Sequence, residues 1–282
     1  MSRILISTDS TADLSQQLLE KNNIEVFSLT IVRDGESLKD GVDIKTPDIF
    51  EFKEKTGRLT TTSAGNIADY EEFFLHHLKE YDEIIHFTIS SDMSSSYANA
   101  KLGAEEMDNV YVIDSRNLST GIGLQVLKAC DLRDSGKSAK EIVEYIGSIA
   151  DKVRASFVLD TLDYMKKGGR CSSVVALGAN LLKLKPCIEV HNGKMDVAKK
   201  YRGKISAVYT EYVKEQLPDK SKLDTKRVFV THTCLDNPQD VKEIVELVKS
   251  MNLFDEVYET VAGCSVSVHC GPGTLGVLFI EK

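Results

Sequence analysis

Residues 84–97 read Ile-Ile-His-Phe-Thr-Ile-Ser-Ser-Asp-Met-Ser-Ser-Ser-Tyr. The apolar beginning predicts a strand over 84–89, and a helical pattern follows the five serines. A strand that turns into a helix brings unpaired backbone N–H groups and hydroxyls to one place, where the helix dipole favours an anion. The segment therefore indicates a site for a carboxylate or a phosphate. A serine-rich helix cap without any ligand is the alternative.

Motifs of several other site types do not occur in the sequence. There is no Gly-x-x-x-x-Gly-Lys-Ser/Thr motif, so a P-loop nucleotide site is excluded. There is no His-Glu-x-x-His motif and no tight cluster of metal ligands, so we expect no metal and no cofactor. The six cysteines contain no Cys-x-x-Cys pair, which favours reduced, buried thiols in a cytoplasmic protein.

Length, composition and charge indicate a globular protein with one large or two medium domains. The chain has 282 residues, of which 42% are hydrophobic and 28% charged. The net charge of −8 argues against nucleic acid as a main partner. The apolar part of the N-terminus is too short for a signal peptide, and no apolar run is long enough for an integral membrane segment.

The first half of the chain alternates strand and helix patterns. Strands are predicted over 3–7, 24–32, 84–89 and 110–113, and helices over 14–21, from 46, over 67–81, 94–107, 121–134 and 139–151. Residues 60–66 are predicted to form a polar loop. This order predicts an α/β/α domain with a parallel sheet over residues 1–154, with ligands at the carboxyl ends of its strands.

The second half predicts a different α/β domain, with a mixed sheet, over residues 155–282. Strands are predicted over 155–159, 188–191, 194–198, 227–231, 254–261 and 276–280. Helices are predicted over 160–167, 174–184, 205–216 and 237–251, with Pro186 ending the second of them. The Asn192-Gly193 pair predicts a tight hairpin, which is why the sheet is expected to be mixed.

Further candidates for site chemistry lie outside the serine segment. Thr62 and Ser63 belong to a hydroxyl cluster before a helix, which is also typical of a loop and cap. His269 begins the turn His-Cys-Gly-Pro-Gly, which could orient its ring toward a carboxylate; a core histidine bonded to a backbone carbonyl is the alternative. Two basic clusters, at 166–170 and 199–204, could receive phosphate or an acidic protein surface.

These segments together resemble the DegV family of fatty-acid-binding proteins, which includes the B subunit of bacterial fatty acid kinase. The resemblance covers the whole chain. The segments that carry it are 8–14 (Thr-Asp-Ser-Thr-Ala-Asp-Leu), 62–63 (Thr-Ser), 90–97, 160–170, 183–186 (Lys-Leu-Lys-Pro) and 269–273. Within them, Asp-Thr-Leu-Asp-Tyr-Met-Lys-Lys-Gly-Gly-Arg at 160–170 is the most specific.

The resemblance implies a long-chain fatty acid buried between two α/β domains. Its carboxylate is expected to meet Thr62 and Ser94, with Ser63, Ser95 and His269 also binding the ligand. A chain of about 16 to 18 carbons would supply most of the affinity, at ~0.8 kcal/mol per buried methylene. Apolar segments 174–184 and 261–268 could line the tail, although ordinary core is the simpler interpretation.

The resemblance also implies a partner. A separate ATP-binding kinase subunit would phosphorylate the bound carboxylate, so the protein would not be an enzyme alone. Arg170 and Arg202 are expected to contact that partner or the phosphate. The chain departs from the family pattern at Ser95 and Ser96, where the family has Gly and Thr, and at 64–66, where Ala-Gly-Asn replaces Gln-Pro-Ser.

Two other functions remain as hypotheses. A hydrolase could use Ser94 as the nucleophile and His269 as the base, although the Gly-x-Ser-x-Gly motif is absent. A protein-interaction module acting through Arg170 and Arg202 would need no lipid. The sequence does not specify the acyl chain length, the identity of the partner or the oligomeric state.

Overall fold

The structure is a computed structural model that describes residues 2–176, 184–217 and 219–282. The strands of the first half are β1 (Ile4–Asp9), β2 (Ile24–Phe27), β3 (Thr30–Arg33), β4 (Glu36–Lys39), β5 (Thr61–Ser63), β6 (Glu83–Thr88) and β7 (Val110–Asp114). The helices are α1 (Gln16–Asn22), α2 (Thr46–Thr56), α3 (Ile67–His77), α4 (Ser96–Gly103), α5 (Thr120–Asp134) and α6 (Ala139–Ile149).

The parallel sheet of the first half has the strand order β2-β1-β6-β7. All three of its strand pairs are parallel. Every residue of β1 is buried, which is typical of a parallel strand covered on both faces. The turn after β1 and the serine segment after β6 therefore lie side by side at the carboxyl edge, as the sequence predicts.

The second half forms a mixed sheet, which confirms the predicted fold class. Its strands are β8 (Val153–Val158), β9 (Leu184–His191), β10 (Lys194–Arg202), β11 (Leu223–His232), β12 (Glu256–Val261) and β13 (Leu275–Glu281), in the order β10-β9-β8-β13-β11-β12. Only the β11–β12 pair of this sheet is parallel. The helices are α7 (Asp163–Gly168), α8 (Ser172–Ala176), α9 (Ile205–Gln216), α10 (Pro238–Ser250) and α11 (Cys264–Cys270).

The predicted hairpin is present between β9 and β10. Asn192 and Gly193 both have positive φ angles, 49° and 81°, as a two-residue turn of this kind requires. The turn packs against the first half of the chain, since Ser90 Oγ donates to the Gly193 carbonyl at 2.7 Å. A Cβ at Gly193 would lie 2.6 Å from that hydroxyl, so the close approach requires glycine.

Two predictions in the first half are wrong. The strand predicted over 24–32 is two strands in different sheets, because β2 pairs with β1 whereas β3 pairs with β4 and β5. Buried residues alternate through the break, so the periodicity does not show that the pairing partner changes. The loop predicted over 60–66 contains β5, in which Thr62 pairs with Ile31.

Other boundaries also differ from the predictions. The helix predicted over 174–184 is contradicted at its end, because Leu184 and Pro186 lie in β9 and residues 177–183 are outside the described residues. Helix α4 begins at Ser96 rather than Ser94, since Ser94 precedes the helix and accepts a hydrogen bond from its first N–H. The division of the chain at residue 154 stays a prediction.

Helix α5 lies between the two sheets and joins their cores. It contacts β1 on one side and β8 and β13 on the other. Residues 120–127 of this helix are all buried, as expected for a helix that is covered all round. One hydrophobic cluster consequently extends from Ile6 and Phe87 through Ile122 to Phe157 and Leu278.

Candidate functional site

A cavity of about 150 Å³ lies where the two halves of the chain meet. We call it the hydroxyl cavity, after the side chains that line it. Its polar residues are Thr11, Thr62, Ser63, Ser94, Ser95, Arg170, Ser265 and His269. Its apolar residues are Leu29, Ala64, Ile89, Met93, Leu118, Met165, Met195, Val266 and Cys270. The structure thus brings together Thr62, Ser63, Ser94, Ser95 and His269, the predicted ligand-binding set.

Thr62 and His269 form a polar pair in the wall of the hydroxyl cavity. Thr62 Oγ1 lies 3.1 Å from His269 Nε2, although the two residues are 207 positions apart. His269 Nδ1 is buried and has no hydrogen-bond partner among the described residues. The interpretation of His269 as a core histidine bonded to a backbone carbonyl is therefore wrong.

His269 is uncharged at neutral pH. Burial, together with the positive charge of nearby Arg170, lowers the pKa of His269 to about 4. A neutral imidazole has one N–H donor and one acceptor nitrogen, and either nitrogen can carry the proton. The ring can thus donate a hydrogen bond to an anion without adding a positive charge to the cavity.

Tight packing holds the His269 ring in place. A Cβ at Gly168 would lie 2.3 Å from His269 Nδ1, so the glycine of α7 allows the ring to sit against the backbone. The turn after α11 is equally constrained, because Gly271 and Gly273 have φ angles of 77° and 69°. A Cβ at Gly271 would meet the Tyr164 ring at 2.7 Å. The fixed turn predicted from the sequence is present.

The serine segment contributes neutral donors at the start of α4. Ser94 Oγ lies 2.9 Å from Ser96 Oγ and accepts a hydrogen bond from Ser96 N at 3.2 Å. Ser94 is half-buried and Ser95 is exposed, which places Ser95 nearer the mouth of the hydroxyl cavity. The positive end of the α4 dipole also lies here, and its effect adds to that of the hydroxyls.

A smaller, mostly apolar space adjoins the hydroxyl cavity. This inner cavity, of about 20 Å³, shares Leu118, Val266 and Cys270 with it. Its other lining residues include Phe157 and Leu278 of the central core. The hydroxyl cavity therefore has a small neighbouring space whose walls are mostly apolar and are formed in part by the same side chains.

Helix α11 is held at its other end by carboxylates from the first half of the chain. Asp40 accepts hydrogen bonds from Cys264 N and Ser265 N, both at 2.9 Å. Asp13 accepts one from Gly263 N at 2.8 Å and another from Ser119 Oγ. These bonds cap α11 and fix its position relative to the first half.

The same aspartates line a second cavity, of about 260 Å³, that we call the aspartate cavity. It contains Asp9, Asp13 and Asp40, all buried. Burial raises the pKa of Asp9 to about 6 and that of Asp13 to about 8. Within the part of the chain that the structure describes, no group of three His, Cys, Asp or Glu side chains is arranged to hold a metal ion.

The geometry does not support the hydrolase hypothesis. Ser94 Oγ is paired with Ser96, and His269 faces Thr62. No carboxylate among the described residues bonds to His269 Nδ1, and a pKa of about 4 makes this histidine a weak base. A nucleophile, a base and an orienting acid are therefore not assembled here.

A family model described as "Uncharacterised protein, DegV family" matches residues 3–282. A DegV domain-containing protein from Caldanaerobacter subterraneus is 32% identical over 286 residues, covering 100% of both chains. The chain belongs to the DegV family. Another DegV domain-containing protein, from Clostridium acetobutylicum, is 34% identical to this DegV chain over 290 residues, and both chains are again covered completely.

Solved DegV structures share the fold. A Thermus thermophilus DegV family protein, described by its fatty acid binding, superposes with a TM-score of 0.88 at 26% identity and covers 99% of this chain and 100% of its own. DegV of Bacillus subtilis, described as a fatty acid binding protein, superposes with a TM-score of 0.83 at 27% identity, and both chains are covered completely. A stearic acid-binding protein from Eubacterium ventriosum superposes with a TM-score of 0.83 at 26% identity, and the match covers 100% of this chain and 99% of that protein.

The departures of this DegV chain from the family pattern cause no backbone strain. Ser95 has φ −79° and ψ 1°, a conformation that does not require glycine. Ser96 keeps the hydroxyl that a threonine would supply, and uses it to pair with Ser94. The serine segment therefore retains its turn and its hydroxyls despite the two substitutions.

The two arginines predicted as partner contacts occupy different positions. Arg170 is exposed, lines the mouth of the hydroxyl cavity and donates from one guanidinium nitrogen to the Gly168 carbonyl at 2.6 Å. Arg202 is exposed at the end of β10 and does not line this cavity. The structure thus brings Arg170 to the predicted ligand site and leaves Arg202 outside it.

Sequence reasoning missed Thr11, Ser265 and the methionines of the lining. Thr11 lies in the turn after β1. Its position at the carboxyl end of a parallel strand is the sequence signal that marks it as a candidate site residue. Ser265 has no such signal in the sequence, because it lies at the cavity only as a result of where α11 packs in the fold. Val266, from the apolar segment 261–268, lines the cavity, whereas Val268 packs into a core cluster.

No helix in the described ranges is both long enough and apolar enough to span a bilayer.

Proposed function

We propose that this protein binds one long-chain fatty acid in the hydroxyl cavity and its inner extension. The observation that carries the proposal is a cavity lined by neutral donors and apolar side chains, adjoined by a smaller space whose walls are mostly apolar. The fatty acid binding described for the Thermus and Bacillus relatives supports the same ligand class.

The carboxylate is held at the mouth by Thr62, Ser94 and His269. A buried carboxylate without hydrogen bonds would cost several kcal/mol, and hydroxyl and imidazole donors offset this cost. Ser63 and Ser95 lie at the exposed side of the same group. The guanidinium of Arg170 adds a favourable charge at the entrance, where it stays in contact with solvent.

The acyl chain supplies most of the affinity. Burial of about a dozen methylenes contributes on the order of 10 kcal/mol at ~0.8 kcal/mol each. Lost translational and rotational freedom offsets a large part of that gain. The hydrocarbon tail therefore determines how tightly the ligand binds, whereas the hydroxyls determine which head group is accepted.

The protein acts as a substrate carrier for a separate ATP-dependent kinase, which phosphorylates the bound carboxylate to an acyl phosphate. Arg170 supports this role, because it stands next to the site where the new phosphate would appear and can pair with it. Arg202, on the exposed end of β10, is proposed to contact the partner subunit.

Ligand retention tests the binding proposal. Native mass spectrometry of the protein offered palmitate should show one added fatty acid. Thr62→Ala and Ser94→Ala should each weaken binding by about tenfold or more, since hydrogen bonds to a charged group contribute about 1.5–3 kcal/mol. Thr61→Ala and Ser91→Ala are matched controls, because these hydroxyls are exposed neighbours outside the cavity lining. Equal retention by all four variants would refute the assignment of the head group.

Phosphoryl transfer tests the carrier role separately. With a purified ATP-binding kinase subunit, the wild-type protein loaded with palmitate should yield acyl phosphate. Arg170→Ala should keep the fatty acid and lose most of this product, and Arg202→Ala should raise the partner concentration that is needed. Arg3→Ala, before β1 at the opposite edge of the parallel sheet, serves as the control. If Arg170→Ala transfers phosphate as well as the control does, the proposed role of Arg170 is wrong.

A further inference from the structure

Ser265 carries a buried hydroxyl in the wall of the hydroxyl cavity. The residue is 5% exposed, and its Oγ makes no hydrogen bond to any residue that the structure describes. Its backbone N–H is bonded to Asp40 at 2.9 Å, so the first turn of α11 is fixed. Because Ser265 lines the hydroxyl cavity, rotation about its Cα–Cβ bond is the route by which the hydroxyl can reach a partner inside that cavity.

The surroundings of Ser265 supply little for it to bond. The cavity residues behind the polar mouth are mostly apolar, among them Leu29, Ile89 and Leu118. Thr11, the other hydroxyl there, already donates its proton to Asp9. When the cavity is filled by plain hydrocarbon, Ser265 keeps a donor and two acceptor positions without partners, which is unfavourable.

The position of Ser265 on α11 indicates which part of a ligand it faces. It precedes His269 by four residues, so the two side chains lie on one face of the helix, about 5–6 Å apart. His269 lies beside the exposed Arg170, whereas Ser265 is buried. An extended acyl chain advances roughly 1.3 Å per carbon for bonds of about 1.5 Å, so Ser265 faces the first few carbons after the carboxyl group.

We propose that the hydroxyl cavity selects an acyl chain that carries a hydroxyl within about its first six carbons, and that Ser265 recognises this group. The inference rests on the proposed function, because it assumes that the carboxylate binds at Thr62 and His269. A ligand hydroxyl both donates and accepts, so it satisfies Ser265 where a methylene cannot. A site built around such a bond discriminates against the analogue that lacks it.

A binding comparison tests the proposal with four acids: hexadecanoic, 3-hydroxyhexadecanoic, 5-hydroxyhexadecanoic and 16-hydroxyhexadecanoic acid. The wild-type protein should bind the 3- or the 5-hydroxy acid about tenfold more tightly than hexadecanoic acid, which corresponds to 1.4 kcal/mol. The 16-hydroxy acid, with its hydroxyl at the far end of the chain, should bind no more tightly than hexadecanoic acid.

Variants separate the role of the hydroxyl from the stability of the helix. Ser265→Ala removes no hydrogen bond to any residue that the structure describes, so the variant should keep the melting temperature of the wild type. It should bind hexadecanoic acid at least as tightly and lose the preference for the hydroxy acids. Ser267→Ala is the matched control, since its hydroxyl donates to the Ala262 carbonyl and does not line the cavity. It should keep the preference.

The outcomes are distinguishable. Absence of any preference for the 3- or 5-hydroxy acid in the wild type would overturn the proposal. An equal loss of affinity for all four acids in Ser265→Ala would overturn it as well, and would make Ser265 a further ligand of the carboxylate. If the wild-type protein bound none of the acids, the proposed function itself would fail, and the inference with it.

Discussion

The hydroxyl cavity and the aspartate cavity lie at opposite ends of one short helix, and they have opposite chemistry. Around the C-terminal end of α11, His269 and the hydroxyls of Thr62 and Ser94 line a space of about 150 Å³. At the N-terminal end, Asp9, Asp13 and Asp40 line a space of about 260 Å³. The larger cavity carries buried carboxylates, and the smaller one carries neutral donors.

For the proposed ligand, this difference predicts that charge, rather than size, decides where the acid binds. A fatty acid in the aspartate cavity would place its carboxylate beside three other carboxyl groups, and burial, with a smaller contribution from mutual repulsion, already opposes ionisation of Asp9 and Asp13 there. The polar groups also differ in their pairing, because the aspartates bond to backbone N–H groups, whereas Ser265 Oγ and His269 Nδ1 have no partner among the described residues. The aspartates thus fix α11 through its backbone, while these two side-chain atoms keep bonding positions that no described residue uses.

The largest effect is expected when a carboxylate is placed in the hydroxyl cavity. Ser94→Asp should weaken palmitate binding at pH 7.5 by at least about 100-fold, because like charges a few ångströms apart in a low-dielectric site repel strongly. Ser94→Asn, which has a similar size and no charge, should lose about tenfold or less. Titration calorimetry measures both. Similar affinities for the two variants would show that the anion binds away from Ser94.

The next largest effect concerns the aspartate that caps α11. Asp40→Ala removes the acceptor of two buried helix N–H groups and should lower the free energy of unfolding by about 3 kcal/mol. Asp40→Asn keeps one acceptor oxygen, so its free energy of unfolding should fall by roughly half as much. Urea denaturation gives both values. A stability loss below about 0.5 kcal/mol for Asp40→Ala would mean that the cap does not hold α11.

A smaller effect depends on pH and on Asp13. Its folded-state pKa of about 8 lies above its ordinary value of 3.8, so the folded protein binds a proton that the unfolded chain releases. The contribution of Asp13 to stability is complete below pH 4 and is lost as the pH rises toward 8, by at most about 1.4 kcal/mol per pH unit.

Asp13→Asn tests this linkage because it resembles the protonated acid. An asparagine can accept from Gly263 N and donate to Ser119 Oγ, so both present bonds have a counterpart. It also tolerates the positive φ of 51° at this position. Thermal unfolding at pH 6.5 and pH 8 should show a wild-type decrease that the variant lacks. If the wild type and the variant lost the same stability between the two pH values, the raised pKa of Asp13 would be contradicted.

The fold was predictable from the sequence wherever local patterns carried the information. Buried apolar runs followed by capping residues predicted the parallel sheet, and Asn192-Gly193 predicted the hairpin, because both depend on neighbouring residues. The candidate site residues Thr62, Ser94 and His269 lie in segments that the sequence itself singled out, and their expected roles followed from the family resemblance. That these side chains share one cavity is a statement about tertiary packing, and the structure was needed for it.

Helix α11 shows why the rest was not predictable. Residues 264–270 read Cys-Ser-Val-Ser-Val-His-Cys, an alternation that is typical of a strand. They form a helix because Asp13 and Asp40, more than 220 residues away along the chain, bond to its first N–H groups. No pattern within the segment contains this cap, so neither the helix nor the cavity position of Ser265 could be anticipated.

The smallest predicted effect concerns the wall that the hydroxyl cavity and the inner cavity share. Cys270 lines both, so Cys270→Leu should narrow the path proposed for the tail and shorten the preferred acyl chain. Relative to dodecanoic acid, palmitate should lose about threefold to tenfold in affinity, in line with the cost of inserting extra methylenes into a packed interior. Cys234→Leu, outside both linings, is the control. An unchanged ratio would show that the tail takes another path.

The location of the carboxylate is the central claim, and a crystal structure with palmitate tests it most directly. The account predicts carboxylate oxygens within hydrogen-bond distance of Thr62 Oγ1, Ser94 Oγ and a ring nitrogen of His269, with the tail passing Cys270 into the inner cavity. A head group bound in the aspartate cavity, or a tail lying outside the space between the two sheets, would contradict it.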